Sequence, residues 1–130
     1  MNFNHYQNSD STHIFNITNR TVSDFDASML TNTLHQLYQE AKGAPLYIIL
    51  NLESYYSLPL SDFTLELKKF YTTVNKSSVF IALILDPSLV TIVQSMVKTL
   101  VTRESLQNFS KEETALLWLD IERKKLNTRH

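Results

Sequence analysis

Few residues in this chain have the type and spacing that chemistry requires. The four histidines, His5, His13, His35 and His130, are scattered, and there is no cysteine. Without thiols there are no disulfides, thiolate zinc sites, iron–sulfur clusters or cysteine nucleophiles, and four dispersed imidazoles leave little else to hold a transition metal. The expectation is no metal and no cofactor. The chain has no Gly-rich phosphate loop, no Gly-X-Ser-X-Gly elbow and no His-Glu-X-X-His pair. Its single glycine, Gly43, leaves little with which to build a backbone cradle for phosphate. His35 has no acid or serine at a helical spacing and reads as a surface residue. The carboxylate pairs Asp24/Asp26 and Glu112/Glu113 fall at predicted helix starts, where acids complement the helix dipole. The chain is therefore expected to lack catalytic residues.

Three groups suit binding better. Tyr55, Tyr56, Phe63, Phe70 and Tyr71 concentrate aromatic surface around the second helix and the loop before it. Phe63 and Phe70 share a packing face, whereas the adjacent Tyr55 and Tyr56 cannot easily both be buried, so this stretch is a candidate ligand or partner surface. The run Leu89, Ile92, Val93, Met96, Val97, Leu100 and Val101 gives a third helix an apolar face wider than one sheet contact needs. Core packing is its first explanation; the excess, Val93, Met96, Val97 and Leu100, is the wall expected of an apolar cavity or a subunit contact. From Lys98 to the end, seven basic residues (Lys98, Arg103, Lys111, Arg123, Lys124, Lys125, Arg129) face five acids. They read as a solvated helix face, with peripheral contact to a membrane or an acidic partner as the alternative.

The elements that position these groups follow from pattern. At 130 residues with 43% hydrophobic content, the chain suits one domain with a real core. A formal charge of -1 and a pI near 6.4 give no field that would gather nucleic acid. The polar stretch Met1–Thr12 lacks the features of a signal peptide, and no apolar run approaches the roughly 20 residues of a membrane span. A cytoplasmic location is expected. His13–Thr18 predicts a strand, and Ser23 or Asp24 caps a helix whose apolar face is Ala27, Leu30, Leu34, Leu37 and Ala41, ended by Gly43. Leu46–Leu52 and Val79–Leu85 are too continuously apolar for half-exposed strands and predict central, parallel ones. Between them, Ser61 or Asp62 caps a helix marked by Phe63, Leu67, Phe70 and Val74. Pro87 opens the third helix, Ser105–Phe109 predicts an edge strand, and Ser110-Lys-Glu-Glu113 is a capping box for a last helix from Lys111 to about Lys125. The fold class is α/β, a mostly parallel four- to five-stranded sheet covered by about four helices.

In order and spacing these segments resemble the SpoIIAA-like proteins, related to STAS domains and more distantly to the lipid-binding CRAL-TRIO fold. The resemblance is carried by Ile14–Arg20 with the turn Thr21–Asp26, by Leu46–Leu52 with Asn51-Leu52 in the Asp-Leu place, by Val79–Asp86, and by Phe109–Trp118. It covers roughly Phe3 to Arg123, and it suggests an extra edge strand from the first dozen residues. In that family a serine or threonine in an Asp-Ser-Ser/Thr-Gly stretch is phosphorylated. Here the stretch is Leu58-Pro59-Leu60-Ser61-Asp62, so Ser61 alone matches, without the preceding Asp or the following Gly. Ser61 reads first as an N-cap. A phosphate there would sit favourably at a helix N-terminus.

The resemblance implies a non-enzymatic regulatory module acting through protein–protein contacts in the stretch from Tyr55 through Tyr71. The alternative is a carrier or sensor of a lipophilic molecule. A homodimer through the helices is compatible with either.

Overall fold

The apolar runs at 46–50 and 79–85 are buried along their whole length. Strands apolar on both faces must be covered on both, and the computed structural model, which describes residues 3–17, 27–52, 60–86 and 105–128, shows both covers. Five strands form one sheet in the order β1-β2-β3-β4-β5: β1 (Phe3–Gln7), β2 (His13–Ile17), β3 (Leu46–Asn51), β4 (Val79–Ile84) and β5 (Leu106–Phe109). β2, β3, β4 and β5 pair in parallel, while β1 pairs antiparallel with β2. The sheet is thus mixed. Residues 3–12 form its edge strand and a turn in which the Asn8 side chain accepts bonds from the amides of Asp10 (2.9 Å) and Thr12 (3.0 Å).

Two helices, α1 (Ala27–Ala41) and α2 (Leu60–Tyr71), join successive parallel strands and pack against each other. Both connections step the same way across the sheet, so right-handed crossovers place them on one face. There Phe15, Ile17, Leu34, Ile48, Leu50, Leu67, Phe70, Ile81 and Leu83 belong to one continuous cluster. α3 (Glu112–Thr128) follows the last strand and lies on the opposite face, where Ala115, Trp118 and Leu119 join Ile14, Tyr47, Ile49, Phe80, Ala82 and Ile84. Phe80 and Phe109 both pack rings near Trp118, at 6.5 and 5.7 Å between centroids.

The helix ends obey local chemistry. α1 closes through Lys42 (φ 51°) and Gly43 (φ 88°), the latter in the left-handed conformation that costs a glycine least. After α2, the Asn75 side chain accepts bonds from the Ser77 amide (3.2 Å) and hydroxyl (2.8 Å), shaping the short 3₁₀ turn Lys76–Ser78 that feeds β4.

Three α-helices lie among the described residues, against about four expected. The helix expected from Pro87 through Val101, with Val93, Met96, Val97 and Leu100, falls outside them, as do the Ser23/Asp24 cap and Tyr55 and Tyr56. No described helix is long and apolar enough to cross a membrane.

Candidate functional site

In a parallel sheet every helix that follows a strand begins at the strands' carboxyl ends, the edge where open α/β folds usually bind. α1 and α2 both start there. Met29, in the first turn of α1, is 47% exposed, and Leu65, in the second turn of α2, is 52% exposed. Large apolar side chains left in water on two adjacent helices at one end of the molecule form the candidate surface. Asn4, Asn16 and Asn51 add polar groups near that edge: they stand side by side in register across β1, β2 and β3, and none is fully buried.

The residues singled out from the sequence distribute unevenly about this end. α2 begins at Leu60, so Ser61 lies inside the first turn rather than ahead of it as the cap. Phe63 lies on the same helix, one turn from its start. Tyr71 does not belong to the surface. It is 2% exposed, and its ring packs edge-on to Phe70 at 5.4 Å. Burial raises its pKa well above the ordinary tyrosine value, an effect that the Ser105 contact partly offsets.

His35 is half-buried, with its ring edge-on to Phe70 at 5.1 Å and the Thr73 hydroxyl 3.3 Å from Nδ1. Beside it the Tyr38 hydroxyl accepts a bond from the Asn75 amide at 3.0 Å. These contacts tie α1 to the end of α2 and the turn that follows it.

The basic C-terminal group is not simply a solvated face. Arg123 lies against the sheet, its guanidinium carbon 4.3 Å from the centre of the Tyr47 ring, and its Nη2 donates to the buried Thr12 hydroxyl at 2.8 Å. Asp120 sits 3.4 Å from Nη1. Lys124 and Lys125 pair along the helix with Asp120 and Glu122.

One juxtaposition was hidden in the sequence. His5 and His13, eight residues apart, meet on the β1–β2 hairpin with His5 Nε2 and His13 Nδ1 3.0 Å from each other. The His5 ring stacks flat on Phe15 at 4.3 Å. Burial lowers the pKa of both imidazoles; His13 is lowered further by its neighbour His5 and is raised in part by Glu40. The turn-prone Asn8-Ser9-Asp10-Ser11 between them is the sequence signal that would have paired the two strands.

Set against known protein families, curated proteins and solved structures, the chain matches none of them.

Proposed function

We propose that this chain is a non-enzymatic binding or regulatory module of SpoIIAA-like type that acts through protein–protein contacts, with the carboxyl end of the sheet as its docking surface. The observation that carries the reading is the exposure of Met29 and Leu65 on neighbouring helices that pack over one buried apolar cluster. Apolar side chains in that setting gain free energy when a partner covers them. Ser61, in the first turn of α2, gives the same end a position at which a phosphate would change both charge and shape.

The deciding experiment is capture of a cross-linked partner by the wild-type chain and by Met29→Asp, Leu65→Asp and, as a control on the opposite helix layer, Leu117→Asp. The reading requires a partner kept by the control and lost by both other variants. A partner set indifferent to Met29 and Leu65 would sink it. Native mass spectrometry serves the carrier alternative, which draws on Val93, Met96, Val97 and Leu100: a co-purifying apolar molecule would favour it over the docking module.

A further inference from the structure

We propose that His5 and His13 form a two-imidazole chelate for a borderline divalent metal ion, with Cu²⁺ preferred and Ni²⁺ next. The hairpin sets the geometry. His5 pairs with Phe15 and Gln7 with His13, so the two histidines are diagonal neighbours on one face of an antiparallel ribbon. Diagonal positions are within reach of long or aromatic side chains. Their facing nitrogens are 3.0 Å apart in a hydrogen bond, close enough that turning the two rings brings both lone pairs onto one ion with metal–nitrogen bonds of about 2.0–2.1 Å. The order of affinities for nitrogen donors puts Cu²⁺ first.

The surroundings suit a bound ion. Stacking on Phe15 restrains the His5 ring, and its exposure leaves room for water at the remaining coordination positions. Chelation exchanges the histidine–histidine hydrogen bond for two metal bonds: the donor ring gives up the proton between them and takes one on its far nitrogen, so that both facing nitrogens present lone pairs and the ring protons reside on His5 Nδ1 and His13 Nε2. No net proton is released. The Glu40 carboxylate of α1 adds an attractive field at His13. Among the described residues no group of three or more His, Cys, Asp and Glu could hold a metal, so the ion is held by two ligands and water, as an exchangeable ion that clips β1 to β2.

The test uses the tag-free chain, titrated with CuCl₂ and NiCl₂ by calorimetry and examined by electron paramagnetic resonance with one equivalent of Cu²⁺. Expected are one bound ion, at least a tenfold weakening in His5→Ala and in His13→Ala, no change in His35→Ala, and nitrogen hyperfine structure from two imidazoles. No binding by the wild type, or binding equally strong in both histidine variants, would overturn the proposal. Should either variant misfold, the wild-type spectrum decides alone: coupling to fewer than two imidazole nitrogens refutes the chelate.

Discussion

The Tyr71 hydroxyl lies 3.4 Å from the Ser105 carbonyl oxygen and 3.3 Å from Ser105 Oγ, fastening the end of α2 to the residue that leads into β5. Ser105 Oγ is itself 2.7 Å from the Val79 carbonyl. The tyrosine hydroxyl donates to the Ser105 carbonyl oxygen, while the Ser105 hydroxyl is shared between the Val79 carbonyl and the tyrosine oxygen. Because Tyr71 holds its proton to higher pH when folded than when unfolded, its contribution to stability is fully present below about pH 10 and is lost as pH rises above it. Urea unfolding at pH 8 and pH 11 should show a large alkaline loss in the wild type and a smaller one in Tyr71→Phe. Ser105→Ala, which removes the buried hydroxyl bonded to the Val79 carbonyl and lying beside the tyrosine oxygen, should cost about 1–3 kcal/mol at pH 7.

Arg123 combines a hydrogen bond to Thr12 with a cation–π contact to Tyr47, so charge alone does not replace it. Arg123→Lys keeps the charge but loses the planar fork. Both Arg123→Lys and Arg123→Ala should destabilise the fold, the alanine by about 1–2 kcal/mol. A double-mutant cycle with Tyr47→Leu should give a coupling of about 0.5–2 kcal/mol. A coupling near zero would mean that the ring and the guanidinium are merely neighbours.

Ala82 is fully buried at the centre of β4 in the cluster under α3, which also contains the fully buried Ala115. Two small residues in one layer suit a close approach of helix to sheet. Ala82→Leu should overpack this layer and cost about 1–3 kcal/mol, measured as a lower urea midpoint at unchanged slope.

A methyl group built on Gly43 would meet nothing within 4 Å, so only its backbone matters. At φ 88° a side chain is strained whatever the space around it. Gly43→Ala should cost about 1–2 kcal/mol, and Gly43→Asn less, since asparagine tolerates the left-handed region better.

Much of this fold is legible locally. Continuous apolar runs announced β3 and β4 as central strands because a strand wet on one face would alternate. Gly43 marked the end of α1. Other signals were present but weaker than their competitors. Tyr71 lies four residues after Leu67 and so belongs to the buried stripe of α2, yet a tyrosine near a loop invites a surface reading. Arg123 lies four residues after the buried Leu119 and occupies the sheet-facing stripe of α3, but the neighbouring lysines made it look solvated.

The sequence by itself determined the α/β class, the central strands and the two helices that separate them, because hydrophobic period and turn chemistry act within a few residues of one another. Tertiary structure alone decided the register in which β1 pairs antiparallel with β2, that Met29 and Leu65 stay in water at the same end, and that His5 comes to 3.0 Å from His13. Those outcomes depend on strand register and on which faces the helices leave uncovered. Register and cover are relations between segments, set only when the chain closes on itself.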